Sequence, residues 1–211
     1  MDGLLIDSEK LALETFQATC EEFELGDLSD VFMQCVGTNA ELNRSILENG
    51  LKGLMDSETF EQSWHIRYAR LTQESPVPLK KGAKTLLEYL ERHKIPRAVA
   101  TSSNTAAAQK KLENSGILKF FKTIVGGDQV VNSKPDPECF LKAARLLAVD
   151  PATCAAFEDS PNGVRSAVAA GMTVVQIPDL IEPDDALLKL GHIVLSSLAE
   201  AIDYDFGPAV T

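Results

Sequence analysis

The sequence predicts an α/β protein: a parallel sheet covered by helices on both faces, preceded by an all-helical segment. Three observations carry that expectation. Five short apolar runs, at residues 97–101, 121–125, 154–157, 173–177 and 193–195, alternate with periodic segments that have glycine near their ends. Residues 8–75 show helical periodicity alone, with Ala12, Phe16, Cys20 and Phe23, then Leu42, Ile46 and Leu47, then Phe60, Trp64, Tyr68 and Leu71 spaced for one face of a helix. Between the two regimes stands Glu74-Ser75-Pro76-Val77-Pro78, whose prolines remove backbone donors and disfavour helix before them, so a domain crossing is expected there. Residues 181–185 read as a polar turn and 204–211 as a frayed tail.

Composition narrows the class. A chain of 211 residues, 45% hydrophobic and 24% charged, buries a substantial core without disulfides or structural metals. Its 20 Lys and Arg stand against 31 Asp and Glu, a net charge of −11. With no basic stripe and no interleaved aromatics, that balance argues against a nucleic-acid partner, while a few local cations still suffice for a small anion. No apolar run approaches the roughly 18 residues of a membrane helix, and no signal-like start is present, so neither membrane insertion nor secretion is expected. Cys20, Cys35, Cys139 and Cys154 form no C-x-x-C pair and lie among apolar neighbours, as reduced, mostly buried thiols of a cytoplasmic protein do.

Four segments stand where strands should hand over to loops and helices, the edge at which open α/β sheets place their ligands. The first is Met1-Asp2-Gly3-Leu4-Leu5-Ile6-Asp7-Ser8-Glu9, acidic residues around a glycine. The second runs from an apolar strand into Thr101-Ser102-Ser103-Asn104, hydroxyls at a helix N-terminus, where unpaired N–H groups and the dipole favour an anion. Third is Asn132-Ser133-Lys134-Pro135-Asp136-Pro137, and fourth Phe157-Glu158-Asp159-Ser160-Pro161-Asn162-Gly163, adjacent carboxylates directly after a strand. Taken singly, each has a plain reading: Thr101 to Asn104 as a helix cap, Lys134 as a solvated charge, Glu158 and Asp159 as caps of the helix entered at Pro161, Asp2 and Asp7 as loop residues. Taken together and in this order, they offer carboxylates, a cation and an anion-binding helix end, a set that can hold a hard divalent cation and a phosphate.

The motifs D-G-L-L-I-D-S-E, A-T-S-S-N, S-K-P-D-P and F-E-D-S-P-N-G-V resemble, in order and over nearly the whole chain, those of the haloacid dehalogenase-like superfamily, in its β-phosphoglucomutase-like and pseudouridine 5'-phosphatase-like branch. The resemblance implies a Rossmann-like three-layer core, residues 1–9 and 77–211, with an inserted α-helical cap, residues 10–76. It implies Asp2 as general acid and base, its main-chain carbonyl also binding magnesium. Thr101 and Ser102, with Ser103 and Asn104 in the same segment, match the phosphate site. Lys134 matches the cation between phosphate and nucleophile, and Asp159 a magnesium ligand with Glu158 beside it.

One departure stands out. The family pattern is D-x-D-G with the first aspartate as nucleophile, and Met1 occupies the x. The nucleophile and its strand are therefore expected just upstream of residue 1, lost through a late start or a clipped chain, or absent in a non-catalytic phosphometabolite-binding protein. Asp2 is not that nucleophile, because the acid would then fall on Leu4, which transfers no proton.

The implied activity is a magnesium-dependent phosphatase of small sugar or nucleoside phosphates acting through an aspartyl phosphate, with residues 1–211 alone nearly inactive; a phosphomutase is the variant within that class. A small phosphorylated metabolite, no nucleic acid, no membrane and a monomer or weak dimer complete the expectation. The stretch Gly37-Thr38-Asn39 should face the site by resemblance, although Thr38 is not basic. Lys80 and Lys81 read as solvated charges that could assist, Trp64 as core and His65 as surface.

Overall fold

The computed structural model describes residues 1–36, 38 and 40–204, the side chains of 40 and 41 excepted. Gly37 and Asn39 of the stretch expected to face the site, and the tail beyond residue 204, lie outside the described residues. Four helices, α1 (Ser8–Glu22), α2 (Ser29–Cys35), α3 (Ala40–Gly50) and α4 (Ser57–Glu74), occupy the segment that carries helical periodicity. Their apolar stripes converge on Phe16, which is fully buried and has the rings of Phe32, Phe60 and Trp64 at 5.4, 5.1 and 5.2 Å. The Phe60 and Trp64 rings meet it edge-on, the arrangement the aromatic quadrupole favours. Cys20, Cys35, Leu47 and Leu51 complete this cluster. Trp64 is core, as expected, and its indole N–H donates to Ala12 O at 3.1 Å and Thr15 Oγ1 at 3.2 Å. His65 stacks on it from the exposed side. Asp56 starts α4 by accepting from Thr59 N at 2.8 Å.

The chain then returns beside its own beginning. Asp7 N donates to Pro78 O at 2.8 Å and Lys80 N to Leu5 O at 3.0 Å, so the proline crossing runs alongside residues 5–7. Beyond it come α5 (Ala83–Arg92), β1 (Ala98–Ala100), α6 (Thr105–Asn114), β2 (Thr123–Val125), α7 (Glu138–Leu147), β3 (Ala155–Glu158), α8 (Pro161–Ala169), β4 (Thr173–Gln176), α9 (Asp185–Leu188) and β5 (Ile193–Val194). A strand falls on each of the five apolar runs, β3 reaching one residue past its run, and among the described residues these strands pair in parallel, whereas the single bridge between Ile6 and Leu79 is antiparallel. Alternate residues face opposite layers: Val99, Phe157 and Val175 join α5 and α6 in one cluster, while Ala156 and Val174 join Phe140 of α7 and Val164 of α8 in another. Helices thus cover both faces, and the fold is the expected three-layer α/β type.

The parallel strands form two sheets rather than one continuous sheet, β1–β2 and β3–β4–β5. An apolar cavity of about 580 Å³, lined by Met1, Leu5, Val99, Ala100, Ala156 and Phe157 among others, lies between β1 and β3. Residues 1–6 make a turn there, not a strand, with Met1 O accepting from the amides of Leu4, Leu5 and Ile6 at 3.4, 2.9 and 3.3 Å. Of the four cysteines, Cys20, Cys35 and Cys139 are buried free thiols and Cys154 is half-buried.

Because three rings lean on Phe16, its removal leaves a cavity that the surrounding helices cannot refill. Phe16→Ala is expected to cost about 3–5 kcal/mol. Urea unfolding should show this as a lowered midpoint with an unchanged slope.

Candidate active site

All four sequence segments meet at the carboxyl edge of the strands, and each is tied to another by a direct contact. The tie between the third and fourth is a buried ion pair of Lys134 and Glu158, whose side chains are 9% and 4% exposed. Lys134 also donates to Ala100 O at the end of β1, at 3.1 Å, and lies 4.8 Å above the Phe140 ring. Burial alone would lower the Lys134 pKa; the Glu158 carboxylate overrides it and raises that pKa, so the ammonium stays charged. Lys134 is therefore not a solvated surface charge. Gly163 has a steric reason here, since a Cβ at that position would collide with the Glu158 carboxylate.

Helix caps account for some of the segment residues and not others. Ser160, not Glu158 or Asp159, caps α8, its Oγ accepting from Gly163 N at 3.2 Å, with Pro161 in the first turn. Asn104 caps α6, accepting from Ala106 N at 2.9 Å. Thr101 is buried and accepts from Ser103 N at 3.1 Å, and Ser102 is exposed at the start of the α6 turn. Ser103 Oγ donates to Asp2 Oδ2 at 2.8 Å, joining the first segment to the second.

Asp2 is gripped from a second side by Lys111 Nζ, 2.8 Å from its Oδ1. Burial pushes the Asp2 carboxyl up, but the Lys111 ammonium and the hydrogen bonds from Lys111 and Ser103 act against it and hold the pKa low. The first and fourth segments meet at Gly3, whose φ of +66° favours glycine and where a Cβ would lie 2.5 Å from Asp159 Oδ2 and 3.1 Å from Asp179 Oδ2. Two further carboxyls crowd this corner. Asp159 is raised to about 7 by burial and then by Glu158, and Glu9 to about 7 by burial and then by Asp2 and Asp179. Asp179 pairs with Lys80 through Oδ1, while its buried Oδ2 has no hydrogen-bond partner among the described residues.

Among the described residues no three His, Cys, Asp or Glu side chains are already gathered closely enough to hold an ion. The donor chemistry nevertheless suits a hard cation, because Asp159 and Asp179 present oxygens across Gly3 and one of these oxygens has no partner among the described residues.

Lys111, Tyr68, Asp179 and the pairing of Lys80 escape a reading of the sequence. Lys111 sits mid-helix among polar residues and carries no signal. Asp179 had one, since it follows β4 at a strand end. Lys80 is ion-paired with Asp179 and, at 3.7 Å, Asp7, so it is not the solvated charge expected, whereas Lys81 is exposed.

The family profile described as haloacid dehalogenase-like hydrolase matches residues 1–177. The phosphorylated carbohydrates phosphatase of Thermotoga maritima is 30% identical over 208 residues, spanning 96% of this chain and 94% of that protein. A Drosophila melanogaster protein assigned as a pseudouridine-5'-phosphatase is 34% identical over 227 aligned positions, spanning 100% and 93%. A crystal structure from Thermotoga maritima, designated a β-phosphoglucomutase, superposes with a TM-score of 0.80 at 29% identity, covering 96% of this chain and 94% of that one.

The raised carboxyls set a pH dependence. From the ordinary carboxylate range up to about 7, the folded state binds more protons than the unfolded chain, so stability falls as pH rises through that window. Calorimetry should show a melting temperature that declines from about pH 5 to about pH 8, and Glu9→Gln should remove on the order of 2 kcal/mol of that decline. An identical decline in both proteins would mean that Glu9 is not strained by its neighbours.

Proposed function

The chain belongs to the haloacid dehalogenase-like hydrolases, in the phosphoglucomutase-like branch, and is an enzyme of their phosphatase and phosphotransferase class; we propose that it is a magnesium-dependent phosphatase of small sugar or nucleoside phosphates. The observation that carries this reading is the immobilised Lys134 ammonium, fixed by Glu158 and Ala100 O beside the Thr101–Ser102 entrance to α6. An ammonium held at the end of β1, next to the hydroxyls of Thr101 and Ser102, suits the non-bridging oxygens of a phosphoryl group. The Thr101 hydroxyl and the Ser102 segment bind those oxygens, while the first amides of α6 are taken by Asp128 and Asn104, and Lys134 offsets the charge that shifts during transfer.

Asp2 carries the proton. A phosphoryl group bound beside it raises the carboxyl from its low value in the free site, so that Asp2 protonates the leaving oxygen and then takes a proton from the water that ends the cycle. Asp159, with the Asp2 main-chain carbonyl and Asp179 beside it, would hold magnesium, which supplies charge neutralisation at the phosphoryl oxygens. Glu158 serves through Lys134, and the helical segment, as a cap over residues 10–76, excludes water and grips the substrate. Two sequence relatives designated phosphatases favour hydrolysis over transfer between sugar hydroxyls. The four free thiols support a cytoplasmic location.

The covalent step uses a carboxylate at the opening position of the family pattern, directly before Met1 and outside residues 1–211. The cavity between β1 and β3 has the apolar lining of a seat for a strand leading to that position. A chain extended by an apolar strand ending in aspartate is expected to release inorganic phosphate from small phosphomonoesters and to melt higher than residues 1–211. The same extension ending in asparagine should raise the melting temperature without turnover. Turnover by the unextended chain at the rate of the aspartate form would show that another group attacks. Interconversion of sugar phosphates without phosphate release would make the enzyme a mutase.

Magnesium binding is tested separately. Asp159→Asn should weaken magnesium at least about tenfold in calorimetry while circular dichroism stays unchanged. Equal affinity would remove Asp159 from the metal site.

A further inference from the structure

Lys111 joins three elements: α6, which carries it, α4 and the turn that holds Asp2. Its Nζ donates to Asp2 Oδ1 at 2.8 Å and to the Tyr68 hydroxyl of α4 at 3.0 Å, and it lies 4.9 Å from the centre of the Tyr68 ring. The side chain is only 9% exposed, so this ammonium is committed to those two partners and is not a solvated charge. One turn further along the same face of α6, Asn114 Nδ2 donates to Gln73 O at 2.9 Å and Thr72 O at 3.3 Å, at the end of α4. Ser115 Oγ then donates to Val77 O at 2.9 Å, in the crossing that follows.

The consequence is mechanical. A single ten-residue helix carries Ser103 and the phosphate-loop residues at its N-terminal end and, within three turns, the grip on α4. Both oxygens of Asp2 are held from that helix, one by Ser103 just before it and one by Lys111 within it. The direction of the Asp2 carboxylate therefore depends on where α6 lies against α4.

We propose that Lys111 is a positioning residue, a clasp through which the docking of α4 on α6 sets the orientation of the Asp2 carboxylate. Its catalytic consequence rests on Asp2 as the proton carrier; the clasp itself rests on contacts alone. Replacing the ammonium leaves a buried carboxylate with the Ser103 hydroxyl and without its neutralising charge, while the tyrosine loses both a donor and a cation over its ring.

Hydrogen exchange on the whole chain tests the coupling without requiring turnover. Asp2→Asn, whose side chain reaches α4 through Lys111, is expected to speed exchange of the amides at residues 68–72 about threefold or more, and Lys111→Met about tenfold. In the Lys111→Met background Asp2→Asn should add nothing, because the link it acts through is already gone. Lys111→Arg, which keeps the charge and the donors, should retain most of the protection. Unchanged exchange at 68–72 in Asp2→Asn would overturn the clasp, as would additive effects in the double variant or a failure of arginine to rescue. Retention of full phosphatase activity by Asp2→Asn in the aspartate-extended chain would refute the proton-carrier reading instead, and the exchange result would stand.

Discussion

The site hangs on one interaction, the buried ion pair of Lys134 and Glu158. Two charges taken out of water cost several kcal/mol each, and their mutual attraction offsets that only when the remaining donors and acceptors are also met. Here they are. The ammonium has Ala100 O and the face of Phe140, and the carboxylate has Ser160 Oγ at 3.4 Å. Because these partners sit at the ends of β1 and β3 and at the start of α7, the pair also sets the spacing of three strand-end segments. The same constraint explains a motif glycine. Only a residue without Cβ at 163 lets the Glu158 carboxylate lie against the first turn of α8.

Charge pairing then sorts the remaining acids. Lys80 neutralises Asp179 and reaches Asp7, Lys111 neutralises Asp2, and Lys134 neutralises Glu158. Asp159 and Glu9 have no lysine among these described pairs, and they are the two carboxyls pushed up to about 7. Two acids short of positive charge, beside an Asp179 Oδ2 with no partner among the described residues, are donors that suit a hard divalent cation for reasons independent of any motif.

Much of this was legible in the sequence, and what was not has physical causes. The strands at 98–100 and 155–158 were readable because an apolar run ending in hydroxyls or carboxylates has few other meanings in an alternating α/β pattern. Trp64 was readable from its helical stripe. The direction of Glu158 was not, since two adjacent carboxylates after a strand look alike until the fold turns one toward Lys134 and the other toward Gly3. Asn104 could be read as phosphate ligand or helix cap, and its side chain caps α6. Lys111 and Lys80 acquire meaning only from partners 109 and 99 residues away in the chain, a distance local patterns do not span. The two sheets are separated by the apolar cavity between β1 and β3, the place where the motif departure at Met1 leads one to expect a further strand.

The Lys134–Glu158 pair organises the meeting of the four strand-end segments that we propose as one phosphate site. The most direct test is phosphorus NMR of inorganic phosphate titrated with the protein, comparing the parent chain with a Lys134→Met, Glu158→Gln double variant. Removing both charges together leaves no unpaired buried ion, so the fold should persist by circular dichroism. Phosphate affinity is expected to fall at least about tenfold, the scale of a lost charge-assisted contact. Equal affinity in a folded double variant would contradict the account.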